Sequence, residues 1–261
     1  EWCADQMVGG GVINLSLASG TSSDGRDAMS LLVNALVADG IVVVVGAGNG
    51  GAEPGTIGSP AAAARAITVG AAAEWSGDPN DLWFSGGVYP APFSARGPTA
   101  DGRLKPDLLA PGVSIAAAYV ENILTGPFPC WAPCYAVVSG TSMASPFVAG
   151  IAALMLEADG SLGPDDVRRI LFATAQDRFP RAGKDPDTGY GLVDAFAAVE
   201  GAFGGTAPSS LASPSDVSGR ATVPDHGEAL ILVDVVDPSK PLAITLTLDG
   251  RNGRLGWSPD L

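Results

Sequence analysis

The chain has 261 residues, 46% hydrophobic and only 16% charged, which is enough apolar material for a sizeable core. Its 28 acidic and 14 basic residues give a net charge of −14, so a polyanion such as nucleic acid would be repelled. No stretch reaches the ~18 consecutive apolar residues of a membrane span, and the N-terminal residues lack the basic start and apolar run of a signal peptide.

The first part of the chain alternates strands with a helix. Three strands are predicted, at 12–17, 41–45 and 66–69. The second is an unbroken β-branched run, which is typical of a strand buried on both faces of a parallel sheet. A helix is predicted from a cap at Asp24 to about Ala38, with Gly40 as its stop. Strand, helix and strand joined by short loops form a βαβ unit, which predicts an α/β fold with a parallel sheet.

The second part of the chain begins with a long irregular stretch. Three helices are predicted after it, at 143–158, 164–175 and 193–199. The first is apolar almost throughout and is therefore predicted to be buried on all sides. A stretch with linker composition follows, and after it the pattern changes to the period-two alternation of antiparallel strands. These features predict a domain over 1–203, a linker over 204–215 and the start of a truncated β module over 216–261.

A serine stands just before the predicted apolar helix, in the segment Gly140-Thr141-Ser142-Met143-Ala144-Ser145-Pro146. Backbone N–H groups and the positive end of the helix dipole suit a nucleophile whose substrate develops negative charge. Pro146 is expected in the first helical turn, where its missing N–H is not needed. A serine at this position also serves as an ordinary helix cap, and the spacing alone does not separate the two interpretations.

The wider sequence context favours the nucleophile. The segment G-T-S-M-A-S-P-F-V-A-G at 140–150 resembles the nucleophile motif of the subtilisin-like serine proteases. Further segments match this family in the same chain order, at 15–17, 45–49, 93–112 and 189–195. The resemblance covers roughly residues 8 to 200. It implies the parallel-sheet fold of that family and peptide-bond hydrolysis with Ser142 as nucleophile.

The resemblance also implies roles for two strand ends. Asn49, which follows the buried β-branched run, would donate its side-chain amide to the oxyanion together with the N–H of Ser142. Glycine and asparagine at 48–51 are equally typical of a simple turn. The expected substrate-binding residues are Ser16, Leu17, Ala18, Gly46, Ala47 and Gly48. Small apolar walls predict tolerance of sizeable apolar side chains in the substrate, although Leu17 also suits an ordinary core position.

The catalytic base is missing. In the subtilisin-like family the catalytic Asp and His both precede the nucleophile, whereas this chain has one histidine, His226, downstream of the linker. The P-D-H-G-E context of His226 predicts a solvated loop residue. We therefore expect the chain to be a fragment, inactive alone, whose Asp and His are supplied by the upstream part of the same protease.

Two other functions remain open at this point. The order Ser142, then Asp177 or Asp194, then His226 is that of an α/β-hydrolase-type esterase, and G-x-S-x-A is close to the G-x-S-x-G elbow. The other alternative is a catalytically inactive pseudoprotease or binding scaffold.

The interpretation of the cysteines depends on the compartment. In an extracellular chain Cys130 and Cys134, in C-W-A-P-C, suit a small local disulfide, whereas metal binding would need two further ligands that the sequence does not offer. Cys3 is then left over, and its partner is expected elsewhere. The resemblance to a family of secreted proteases also predicts an extracellular location, and the tail at 238–261 resembles the start of the β-sandwich modules that follow many such enzymes.

No cofactor is expected for the chemistry. Structural calcium is common in the family, but the loop acids Glu74, Asp78 and Asp81 show no recognisable ligand spacing, so the metal sites stay unknown.

Overall fold

The structure is a computed structural model, and it describes residues 10–20, 22–75, 87–118, 135–181 and 183–203. The strands are β1 (Gly11–Leu15), β2 (Ile41–Gly46), β3 (Ile67–Trp75), β4 (Gly87–Pro90), β5 (Leu108–Pro111), β6 (Ile115–Ala118) and β7 (Tyr135–Val138). The helices are α1 (Ala28–Ala38), α2 (Thr141–Ala158), α3 (Pro164–Thr174) and α4 (Ala195–Phe203). Each strand and helix predicted in these ranges is present, although several ends are shifted. The prediction of an irregular stretch from Trp75 to Gly112 was wrong, because β4 and β5 lie in it and both pair with β3. The predicted linker and β module lie outside the described residues.

The main sheet is mostly parallel, as predicted. Strand β1 pairs with β2, β2 with β3, and β3 with β5, all in parallel, while β4 pairs with β3 in the antiparallel direction. Strands β6 and β7 form a separate antiparallel pair. The carboxyl ends of parallel strands meet at one edge of a sheet, and open α/β folds bind their ligands there.

Strand β2 is buried along its whole length because helices cover both faces of the sheet. Val42 and Val44 belong to one hydrophobic cluster, together with Val148 of α2. The alternate residues Ile41, Val43 and Val45 belong to a second cluster, together with Val33 of α1. The alternation of strand side chains thus divides one apolar run between two cores.

The start of α1 differs from the prediction. The cap is Asp27 rather than Asp24: Oδ1 of Asp27 accepts a hydrogen bond of 3.0 Å from the backbone N of Ser30. Burial raises the pKa of Asp27, but hydrogen bonds from Ser59, Ser30 and Ser23 outweigh burial and hold the pKa below its ordinary value. Gly40 ends the helix as predicted, with a φ of +89°.

Helix α2 is not buried on all sides, so that prediction was wrong. One face packs against the sheet, but Phe147 is 46% exposed and Leu154 is 58% exposed. Gly150 and Ala153 are exposed on the same face. By length and hydropathy alone α2 is long and apolar enough to cross a membrane, but the core helix of a soluble protein meets the same criteria, and α2 contributes Ala144, Val148 and Met155 to the core.

Candidate active site

Ser142 is the second residue of α2. The helix begins at Thr141 and its N-cap position is Gly140, so the Ser142 hydroxyl is not the helix cap, which excludes that interpretation. The residue is half-buried, and Oγ of Ser142 makes no hydrogen bond to another residue in the described part of the chain. The hydroxyl is therefore available to a substrate or a base, at the positive end of an 18-residue helix.

Pro146 lies deeper in α2 than predicted. It is the sixth helical residue and therefore lies beyond the first turn. An α-helix bonds the N–H of each residue to the carbonyl oxygen four positions earlier, and proline has no N–H. The carbonyl oxygen that loses its partner in this helix is that of Ser142.

Asn49 follows β2 at the carboxyl edge of the sheet and contacts the start of α2. Its Oδ1 accepts hydrogen bonds from Thr141, one of 2.9 Å from the backbone N and one of 3.1 Å from Oγ1. A backbone N–H can only donate, so the oxygen of the amide must face Thr141. The Nδ2 group of Asn49 is thereby left to donate elsewhere.

Two hydrogen-bond donors converge beside Gly140. A Cβ atom built on Gly140 would lie 3.4 Å from Nδ2 of Asn49 and 3.7 Å from the backbone N of Ser142. Sδ of Met143 lies 3.6 Å from the same point. The absence of a side chain at residue 140 thus leaves two groups that can donate hydrogen bonds close to each other, one of them belonging to Ser142.

A cleft of about 360 Å³ opens in front of these groups. Its lining residues are Ser16, Leu17, Ala18, Ser19, Gly20, Gly46, Gly48, Asn49, Gly50, Thr56, Thr141 and Ser142. Leu17 is 55% exposed, so it is not a core residue. Ala47, predicted to line the cleft, is instead fully buried in a core cluster. The alternation of β2 explains this, since neighbouring residues face opposite ways.

Two lining residues matter beyond those predicted. Thr141 is buried, and its Oγ1 both donates to Asn49 and accepts a hydrogen bond of 3.1 Å from the backbone N of Gly48. Because Thr141 directly precedes Ser142 in the sequence, it could have been predicted as a residue of the site. Thr56 lies in a loop between β2 and β3 and no sequence pattern marked it. Gly48 has a φ of +109° and lies against Ala18, so a side chain there would be strained and would narrow the cleft.

Ser16 joins the end of β1 to the nucleophile. Its Oγ donates a hydrogen bond of 2.9 Å to the carbonyl oxygen of Ser142 and lies 3.2 Å from Oγ of Ser145. Nδ2 of Asn14 donates to Ser16 Oγ at 3.0 Å. Ser16 thus lies in the cleft and also contacts the first turn of α2.

A buried charge cluster lies at the beginnings of β3 and β5. The Asp107 carboxylate, just before β5, bonds Nζ of Lys105, while Nζ of Lys184 lies 3.3 Å away and the backbone N of Thr68 donates at 2.8 Å. Burial raises the pKa of Asp107, but the ammonium groups of Lys105 and Lys184 outweigh it and hold the pKa at about 2. Sequence reasoning did not identify this cluster.

The remaining candidates do not join the site in the described residues. Asp194 caps α4, accepting a bond of 2.9 Å from the backbone N of Ala197, and Asp177 accepts one of 2.7 Å from the backbone N of Gly183. His226, Asp78, Asp81 and the three cysteines Cys3, Cys130 and Cys134 lie outside the described ranges.

A calcium ion would need several oxygen ligands close together. Within the described ranges, no three or more His, Cys, Asp and Glu side chains are grouped so that they could hold a metal ion, and Glu74 at the end of β3 is no exception. The residues of this part of the chain therefore do not fit a carboxylate-based calcium site.

Comparison with known proteins identifies the family of the chain. Residues 7–192 match the sequence profile of the subtilase family. The chain is 40% identical over 168 residues to serine protease AprX of Bacillus subtilis, an alignment covering 62% of this chain and 36% of AprX. It is 35% identical over 202 residues to subtilisin DY of Bacillus licheniformis, covering 77% of this chain and 60% of the relative.

Solved structures show the same similarity. The crystal structure of fervidolysin from Fervidobacterium pennivorans, a keratinolytic enzyme related to subtilisin, aligns with a TM-score of 0.59 and 29% identity. The alignment covers 77% of this chain and 28% of fervidolysin. The chain thus spans about a third of AprX and less than two thirds of subtilisin DY.

Proposed function

We propose, from the premise that this chain belongs to the subtilase family, that it carries the nucleophile and oxyanion hole of a serine endopeptidase. Oγ of Ser142 attacks the carbonyl carbon of a peptide bond, and the carbonyl oxygen becomes an oxyanion. Nδ2 of Asn49 and the N–H of Ser142 donate to that oxygen. The observation that carries the proposal is the convergence of these two donors beside Gly140, within reach of a hydroxyl that has no partner in the described residues.

The proton of Ser142 requires a base that this chain does not supply. We assign that role to a histidine, oriented by an aspartate, in the upstream part of the same protease. Two surfaces support such a partner segment. Strand β1 ends the sheet order in the described residues, so one of its edges is unpaired there. The exposed face of α2, which includes Phe147 and Leu154, begins within two turns of Ser142. A segment that paired with β1 and covered this face would bring its own side chains next to the nucleophile.

The cleft accounts for substrate selection. The lining residues are small or apolar, without a charged side chain among those described, and Leu17, Ala18 and Gly48 form its walls. Burial of an apolar side chain stabilises a complex by about 25 cal/mol per Å² of buried area, whereas a charge would lose its hydration without gaining a partner. The substrate residue on the acyl side of the cleaved bond is therefore expected to be apolar and sizeable.

The test is hydrolysis by the full-length protein. Chromogenic peptides that differ only at the residue before the cleaved bond should be cut fastest when that residue is large and apolar, and Ser142→Ala should abolish turnover. The 261-residue chain alone should show only slow residual turnover. A strong preference for a charged residue would refute the account of the cleft.

His226→Ala separates the protease from its alternatives. The proposed mechanism predicts no change in kcat/KM, because the base comes from elsewhere. An esterase that used Ser142, Asp177 or Asp194 and His226 would lose its activity in this variant, and its preferred substrates would be esters. A pseudoprotease or binding scaffold would bind the peptides without cutting them.

Location and disulfide pairing form a separate part of the proposal. We infer an extracellular enzyme with a Cys130–Cys134 disulfide, since disulfides form and persist in oxidising compartments. Mass spectrometry of the peptide that contains both cysteines, before and after reduction, decides the pairing. Free thiols at both positions in protein secreted by its native host would exclude it.

A further inference from the structure

The carbonyl group of Ser142 has lost its helical partner. In α2 that oxygen would accept from the N–H of residue 146, and Pro146 has none. A partly buried carbonyl without a partner is costly, so such groups are satisfied from elsewhere. Oγ of Ser16 lies 2.9 Å from this oxygen and donates to it.

The direction of each hydrogen bond around Ser16 can be assigned. A carbonyl oxygen can only accept, so the single hydroxyl proton of Ser16 points to the oxygen of Ser142. Nδ2 of Asn14 can only donate, and Ser16 Oγ accepts from it at 3.0 Å. The hydroxyl of Ser145, 3.2 Å away, must then donate as well. The donor and acceptor capacity of Ser16 is fully used, which fixes its side chain in one orientation.

We propose that Ser16 is a positioning residue: its hydroxyl replaces the helical hydrogen bond that Pro146 cannot make, and thereby couples the substrate-binding end of β1 to the peptide group of the nucleophile. The role in the reaction rests on the proposed protease function. In a helix without proline, the carbonyl oxygen of Ser142 would accept a hydrogen bond from the N–H of residue 146. Here the same oxygen is bonded instead to a strand whose end, at Ser16 and Leu17, lines the cleft. The nucleophile therefore keeps a fixed position relative to bound substrate.

The hydrogen bond itself is tested on the full-length protein without any assay of activity. Ser16→Ala should lower the midpoint of thermal unfolding by a few degrees when residue 146 is proline. In the Pro146→Ala background the new N–H can bond Ser142, so the same substitution should lower the midpoint far less. Ser145→Ala is the matched control, since its hydroxyl contacts Ser16 but not the Ser142 carbonyl, and its effect should be equal in both backgrounds. Equal effects of Ser16→Ala in the two backgrounds would overturn the proposed replacement.

The positioning role is tested on the full-length enzyme with an apolar peptide substrate. Ser16→Ala should lower kcat about tenfold, the factor that corresponds to one hydrogen bond, with KM little changed. Ser16→Thr, which keeps the hydroxyl, should restore kcat, and the loss should be smaller in the Pro146→Ala background. An unchanged kcat, or a loss confined to KM, would overturn the role.

These outcomes separate the two proposals. If the wild-type full-length protein fails to cut any peptide, the proposed function fails, and with it the role of Ser16 in the reaction. The unfolding midpoints still decide whether Ser16 replaces the helical hydrogen bond. If the wild type is active and Ser16→Ala has the same kcat, the positioning role is refuted and the proposed function is unaffected.

Discussion

Replacing Asp107 by Asn should destabilise the domain far more than the same replacement of a surface Asp would. The Asp107 side chain is 1% exposed and faces the ammonium groups of Lys105 and Lys184, which are themselves buried. Asparagine has the same shape but no charge, and its NH₂ group would face an ammonium group. The variant therefore leaves two buried cations without this counter-charge.

The size of the effect follows from burial. Breaking a buried ion pair by removing one partner costs about 3–5 kcal/mol, and a whole domain is stable by about 5–15 kcal/mol. Asp101→Asn is the matched control, because Asp101 also pairs with a cation two residues away, Arg103, at 2.8 Å. That pair is partly exposed, at 31% and 21%, and such pairs contribute about 0–1 kcal/mol.

Urea unfolding at pH 7, followed by circular dichroism, measures both variants. The midpoint should fall strongly for Asp107→Asn and slightly for Asp101→Asn, with the slope m unchanged in each. If Asp107→Asn loses no more stability than Asp101→Asn, the reasoning from burial is wrong. A changed slope would show instead that the unfolded or native state had altered its exposed surface.

Three further outcomes follow from the site and from the buried cluster. Asn49→Ala should lower kcat of the full-length enzyme about 10²–10³-fold with little effect on KM, a range that comes from subtilisin itself; a loss confined to KM would contradict the oxyanion role. Gly140→Ala should also lower kcat without lowering the unfolding midpoint, because its methyl group would lie between the donors of Asn49 and Ser142; normal kinetics would show that the oxyanion binds elsewhere. The pKa of Asp107 is lowered from 3.8 to about 2, so its stabilising contribution is present above pH 3.8 and lost as the pH falls towards 2. Urea midpoints between pH 6 and pH 2.5 should show this loss in the wild type, and Asp107→Asn should lack that component.

Strands β1 to β3 could be predicted from sequence because their signals are local, whereas β4 and β5 are only four residues long and were not predicted. Five consecutive β-branched residues in β2 allow little besides a buried strand, and the structure buries all of them. The βαβ order then determines a parallel sheet whose carboxyl edge carries Asn49. The fold class was therefore predictable from the sequence, and so was the position of Asn49 at the end of β2.

The start of α3 at Pro164 was predicted, but the starts of α1 and α2 could not be, because distant residues determine them. Asp24 and Asp27 are equally good caps by type, and the choice of Asp27 is stabilised by the hydroxyl of Ser59, 32 positions away. For α2, Gly140 offers no side-chain cap, and Asn49 accepts the N–H of Thr141 in its place from 92 positions away. Local sequence patterns depend on residues that are close along the chain, whereas these hydrogen bonds join residues that are brought together only by the fold.

The bond between Asn49 and Thr141 has a consequence for biosynthesis. The ribosome adds Asn49 long before it adds Thr141 and Ser142. The contact between Asn49 and Thr141 requires the closure of a loop of 92 residues. A nascent chain that has exposed only the first of these segments holds an amide donor and no nucleophile. The contact between Asn49 and Thr141 has no local precursor, so it forms only when the sheet and α2 have docked. On the proposed function, the oxyanion site would be completed only in molecules that have finished folding, and proteolysis would have to wait for that step.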